Sequence, residues 1–238
     1  MSFNLVLCRG SLFTRRVDYT PENWNILRTV FPDYMPIKES NPGFVVSIGK
    51  EPLIMGGVLW NLRSPNIDIN FFDGKIDVIR KNINQPVNSE NLSFICREIK
   101  DVVCKLTDAL QLTSSRLAFA PTLIDKAPNA SRDFARKIFK ERRYKDAQLD
   151  NCNFSNVYRV ERQIGEKQTK INYLATFSEE QQPVFSGNSI KLNSIFKVDV
   201  DINTFPESSV LYNKEEVVDF FDNAAEMAND FINFYISQ

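Results

Sequence analysis

The sequence predicts an α+β fold in which antiparallel sheets are each backed by a long amphipathic helix, in two successive strand-then-helix halves. Three observations carry this reading. Apolar residues recur at spacings of three and four over two long stretches, one near the middle of the chain and one at its end. Strict alternation of apolar and polar residues marks the segments that precede each stretch. The strands are joined by short hairpin-type turns rather than by helical crossovers, which argues for antiparallel pairing with one face covered.

The first half covers residues 1–124. Leu5 to Leu12 reads as a strand. Thr20-Pro21-Glu22-Asn23 opens a helix, with Thr20 as cap and Pro21 at the first helical position. Trp24, Leu27 and Phe31 form its apolar stripe, and Pro32 ends it. Residues 43–84 read as a meander of strands. Within it Asp73-Gly74 is a two-residue hairpin turn. It sets Phe72 opposite Lys75, Phe71 opposite Ile76, Asn70 opposite Asp77 and Ile69 opposite Val78. That register buries Ile69, Phe71, Ile76 and Val78 and leaves Asp68, Asn70 and Asp77 on the outer, solvated face. A long helix follows over about 91–112, and residues 115–123 read as a strand that stops near Pro121.

Residues 125–151 are polar and form a basic connecting segment. Residues 152–238 form the second half, whether as a separate unit or as part of one continuous domain. Strands are expected over 157–164, 169–177 and 189–205. In the last of these Phe196, Val198, Val200 and Ile202 share one face. The closing helix starts at Lys214, where Asn213 and Glu216 have the spacing of a capping box.

Composition excludes much chemistry. The chain has 238 residues and no histidine, which removes Ser-His-Asp and Cys-His catalysis and His-containing zinc sites. It has no GxGxxG or GxxxxGK[ST] phosphate loop. The four cysteines form no CxxC pair, and they read as free thiols of a reducing compartment. No catalytic residue, metal ligand or cofactor is assigned. The net charge of −1 gives no general reason to expect nucleic acid. The first residues lack the basic start of a signal segment and no run is long enough for a membrane span, so the expectation is a cytoplasmic protein without a membrane partner.

Two surfaces and one carboxylate pair remain as candidates. The basic segment carries Arg132, Arg136, Lys137, Lys140, Arg142, Arg143 and Lys145, interleaved with Phe134, Ile138 and Phe139. A short helix capped by Ser131 would set these charges for phosphate-backbone contact, or simply for solvent. The C-terminal stripe of Phe220, Phe221, Phe231, Phe234 and Tyr235 wraps around more than one helix face. It reads either as a helix buried on two sides or as a surface for self-association or a client protein. Asp199 and Asp201 share one strand face, which is the solvent face of an amphipathic strand or a carboxylate pair for metal or acid–base work.

The order of elements resembles a sporadically distributed, uncharacterised bacterial family of about this size. The positions that carry the resemblance are Lys197-Val198-Asp199-Val200-Asp201-Ile202 and Phe231-Ile232-Asn233-Phe234. The C-terminal half is similar to a SecB-type chaperone subunit, with antiparallel strands backed by a long helix. That resemblance implies oligomerisation and a hydrophobic peptide-binding surface, and it brings no catalytic residues. The leading expectation is a non-enzymatic, homo-oligomeric protein-interaction module, an accessory component of a bacterial or phage multi-protein system. The alternatives are a defence-related nucleic-acid binder using residues 132–145 and a carboxylate- or metal-dependent enzyme.

Overall fold

The computed structural model describes residues 2–38, 45–48, 51–54, 57–127, 129–138, 154–186, 189–207 and 210–236. In chain order the elements are β1 (Asn4–Phe13), α1 (Pro21–Val30), β2 (Met35–Lys38), β3 (Val45–Ile48), β4 (Glu51–Ile54), β5 (Trp60–Arg63), β6 (Ile67–Phe72), β7 (Lys75–Arg80), β8 (Gln85–Pro86), α2 (Ser89–Leu110), β9 (Arg116–Asp125), α3 (Ala130–Ile138), β10 (Phe154–Ile164), β11 (Lys167–Ser186), β12 (Ser189–Thr204) and α4 (Lys214–Ile236). The protein is thus mixed α and β, as expected. The two expected sheets are instead one ten-stranded antiparallel sheet, in the order β10-β11-β12-β9-β1-β7-β6-β5-β2, with β8 beside the start of β1. Among the described residues β3 and β4 pair only with each other.

The junction is β9. It pairs with β1 on one side and with β12 on the other, so strands from both halves share one ladder. β9 also runs through Pro121, where the sequence suggested a stop. A proline can sit inside a sheet where no ladder bond needs its missing N–H. The β9–β12 pairing skips Ala120 and Pro121 between Thr122 and Phe119, and β1 bulges nearby between Leu5 and Leu7.

Both long helices cover the same face. Cys96 of α2 donates its thiol hydrogen to the Phe221 carbonyl of α4 at 3.2 Å. Lys100–Asp222 and Lys214–Asp108 ion pairs at 2.5 and 2.7 Å tie the two helices further. Arg80 of β7 reaches Glu98 of α2 at 2.9 Å. The helices approach the sheet closely over Gly10 of β1, where a Cβ would overlap Ile99 Cγ2 and lie 3.0 Å from Phe221 Cε1. The missing side chain is what lets α2 and α4 settle on the strand.

The local signals behave as their chemistry dictates. The Asp73-Gly74 turn forms with the expected register, and Gly74 takes φ 81°. Thr20 accepts from the Asn23 N–H at 3.1 Å and caps α1. The Asn213–Glu216 capping box closes in both directions, at 2.7 and 3.1 Å. Asn88 caps α2, so that helix starts two residues earlier than its apolar stripe suggests. Among the described residues no helix is long and apolar enough to cross a membrane.

Among the described residues the other face of the sheet carries no helix, and a polar row crosses it. Register places Arg159, Asn172, Asn203, Ala118, Ser11, Asp77, Asn70 and Asn61 side by side on successive strands. Arg159 donates to Asn172 at 2.9 Å, and Asn172 donates to Asn203 at 3.0 Å. Asp77 is buried rather than solvated. It accepts from the Ser11 hydroxyl at 2.6 Å and pairs with Lys75 at 2.8 Å. Cations lie over the rings that flank the row, with Lys75 over Phe72, Arg116 over Phe13 and Arg159 over Phe205 at 4.9, 4.8 and 4.2 Å. Such contacts hold each cation against its ring, and the hydrogen bonds along the row offset the desolvation of its buried polar groups.

Cys8, Cys96 and Cys104 are free thiols. Burial pushes the Cys8 thiol well up and the Cys96 thiol up to about 12. Cys104 is half-buried and is raised by the same cause. Because the thiolate is the reactive form, a thiol reagent at mildly alkaline pH should modify Cys104 ahead of the other two. Cys8 and Cys96 should label only as fast as the protein unfolds, which peptide mass spectrometry of timed samples will read.

Candidate functional site

The C-terminal aromatic stripe falls into two parts. Phe220 and Phe221 pack edge-to-face at 5.2 Å and are both buried. Adjacent helical residues point about 100° apart. Both can be buried because α4 packs against the sheet on one side and α2 on the other. The reading of a helix buried on two sides therefore describes these two residues, which are not available as a surface in this structure. Tyr235 is buried as well. Its ring meets Phe177 at 5.0 Å and its hydroxyl accepts from Asn156 at 3.1 Å. Burial, with Tyr158 adding to it, pushes the Tyr235 phenol up to about 12 against that hydrogen bond.

Phe231 and Phe234 face a groove. The last turns of α4 lie over the strands at the end of the sheet, β10 and β11. Between them Tyr158, Val160, Tyr173, Met227, Phe231 and Phe234 line an apolar groove of about 320 Å³, rimmed by Arg162 and Asp230. Phe231 forms its floor, with edge contacts to Tyr158, Tyr173 and Tyr235 at 5.9, 5.6 and 5.3 Å. Phe234 forms its wall and is 49% exposed. Tyr173 is only 7% exposed, and among the described residues its hydroxyl makes no hydrogen bond. A buried hydroxyl without a partner carries a desolvation cost.

The strand beneath the groove has a free edge. Among the described residues β10 pairs only with β11. Seven consecutive residues, Val157 to Gln163, are exposed, with Val157 at 59%, Tyr158 at 46% and Val160 at 42%. The Gly165-Glu166 turn, with Gly165 at φ 57°, closes Ile164 and Lys167 into a hydrogen-bonded pair. Counting back by twos, the N–H and C=O groups of Val157, Arg159, Glu161 and Gln163 point away from β11. An open row of this kind is a template for another strand. A second, more polar cavity of about 500 Å³ continues the groove past this turn and shares Arg162, Met227 and Asp230 with it.

The basic segment is brought together only at its start. α3 holds Arg132, Arg136 and Lys137, and Arg132 is half-buried with Nη1 3.5 Å from Asn129 Oδ1. Lys140, Arg142, Arg143 and Lys145 lie outside the described residues. Ser131 does not cap α3, which starts one residue earlier. Its hydroxyl instead donates to Glu179 at 2.6 Å. Hydrogen bonds from Ser131 and Ser194 hold the Glu179 carboxyl below its ordinary range. Phe134 anchors the underside of α3 in the core, stacked on Phe177 at 4.7 Å.

The carboxylate pair lies on the open sheet face. Asp199 accepts from Thr122 at 2.7 Å and pairs with Lys197 at 3.0 Å, while Asp201 accepts from Asn203 at 3.0 Å. Among the described residues no three Cys, Asp or Glu side chains converge as a metal site would need.

Sequence reasoning named Phe231 and Phe234 and missed Tyr158, Val160 and Tyr173. The alternation of 157–164 identified a strand, and no local signal says which strand ends a sheet. The run Val157-Tyr158-Arg159-Val160-Glu161 did hold a clue, since its apolar residues fall on both faces. Compared with known proteins, the chain matches no family model, no curated protein and no solved structure.

Proposed function

We propose that this protein is a non-enzymatic interaction module that binds protein chains along the edge of β10 and in the groove between β10 and α4. The exposed run from Val157 to Gln163 carries this reading, because its outward backbone groups lie beside a preformed apolar trough. Strand addition supplies affinity through main-chain hydrogen bonds, and an adjoining pocket for alternate side chains supplies selectivity. The groove is lined by aromatic rings and a methionine, which adapt to varied apolar side chains.

The reading is tested with a labelled library of ten-residue peptides in fluorescence anisotropy. Peptides with alternating apolar residues should bind saturably. Phe234→Asp puts a charge on the groove wall and should weaken them by about tenfold or more, as loss of a buried aromatic anchor does. An affinity that ignores Phe234→Asp, or no binding by any peptide, overturns the proposal.

A further inference from the structure

The free edge of β10 is complementary to itself. An antiparallel pair about a two-fold axis perpendicular to the sheet keeps each face continuous, so the register is set by the residue on the axis. Arg159 on the axis would face Arg159, Glu161 would face Glu161, and Arg162 would face Arg162. Each of these places like charges in direct opposition. Tyr158 on the axis would set Arg159 against Val157 and Arg162 against Phe154, with no charge paired.

Val160 on the axis instead pairs the charges of the strand. Arg159 then faces Glu161 of the second copy, and Glu161 faces Arg159, which gives two opposite-charge pairs on the open face. Tyr158 faces Arg162 twice on the helix face, a ring against a cation. The backbone agrees with this register. Arg159 and Glu161 both direct their N–H and C=O outward, so they form hydrogen-bonded pairs. Val160 directs its own toward β11, so the two valines meet as the closer, non-hydrogen-bonded pair. Among the described residues Glu161 takes only a 3.4 Å contact from Gln168 within one copy.

Resting on the interaction reading above, we infer that the strand β10 accepts is β10 of a second copy, paired antiparallel about Val160. The pairing joins two sheets edge to edge. It also brings two apolar grooves side by side across the axis, because Tyr158 and Val160 line each of them. The edge is occupied in the dimer, and the doubled groove stays open to a further chain.

Sedimentation equilibrium of the full chain tests this. The wild type should be a dimer. Arg159→Glu alone and Glu161→Arg alone each set like charges together at both pairs, and each should weaken the dimer by about tenfold or more. The double variant Arg159→Glu/Glu161→Arg restores opposite charges and should restore the dimer. Both positions are exposed, and far-UV circular dichroism checks that the fold persists. In a Cys104→Ser/Cys152→Ser background, Val160→Cys should cross-link the dimer on oxidation and Val157→Cys should not. A monomeric wild type, or a dimer unmoved by either single reversal, overturns the inference. If that monomer still binds peptides through Phe234, the interaction reading stands without the self-pairing. If it binds none, both fail.

Discussion

Replacing Gly10 with alanine should lower the stability of the protein by about 3 kcal/mol, the scale of an over-packed core. For a domain of this size that corresponds to a fall of about 6–12 °C in the thermal midpoint. The cause is steric. Gly10 sits on β1 beneath both long helices, and an added methyl would overlap Ile99 and press on the Phe221 ring at 3.0 Å. β1 cannot retreat, because β7 and β9 hold it on either side in ladders that run unbroken from Cys8 to Phe13. The conflict must move α2 and α4 off the sheet. Ile99→Ala removes the overlapping methyl, so Gly10→Ala/Ile99→Ala should be less destabilised than the sum of the single variants by about 1–2 kcal/mol. Urea unfolding followed by tryptophan fluorescence measures all four proteins, and strict additivity would show that the contact is not the cause.

Phe177→Ala should cost about 3–5 kcal/mol, among the largest effects of any aromatic truncation in the core. Phe177 is the hub where β11 meets α3, β10, β12 and α4. Its ring lies 4.7 Å from Phe134, 4.4 Å from Phe154, 6.3 Å from Phe196 and 5.0 Å from Tyr235. Truncation therefore leaves a cavity that no single neighbour can fill. Phe177→Leu keeps most of the volume and should lose less than half as much. Calorimetry of the two variants distinguishes loss of packing from loss of the fold. A Phe177→Ala cost below about 1 kcal/mol would mean that the cluster repacks freely.

The parts of the fold legible in the sequence are those fixed by neighbours in the chain. The Asp73-Gly74 hairpin forms with its expected register because turn chemistry and apolar alternation agree within twelve residues. The Phe196-Val198-Val200-Ile202 face is buried for the same reason. The caps of α1 and α4 are read correctly from side chains three residues apart. What fails depends on distant partners. The merging of two strand groups through β9 is a pairing choice that nothing near β9 announces. Pro121 argued for a stop, and only the gap in the β12 ladder explains its place. Asp77 read as solvated because its partner Ser11 lies 66 residues away in the chain. At the candidate site, Phe231 and Phe234 were legible as excess apolar surface on a helix. Their opposite wall was not, because the edge position of β10 belongs to the sheet and not to the strand.

The central place of β9 also governs how the chain can fold. Ser2 bonds to Asp125 across 123 residues of chain, and Cys96 to Phe221 across 125. Folds dominated by such non-local contacts form slowly, because loop closure precedes any compensating contact. During synthesis β1 through β9 emerge first and can pair among themselves. The β12 side of β9 and the upper face of α2 must then wait for residues more than seventy positions downstream. Over that interval the nascent chain presents a long apolar strand edge and an uncovered helix, the surfaces on which unfinished proteins aggregate. Slow, concentration-sensitive refolding, with yield lost at the stage before α4 docks, follows directly from threading one strand between two distant halves.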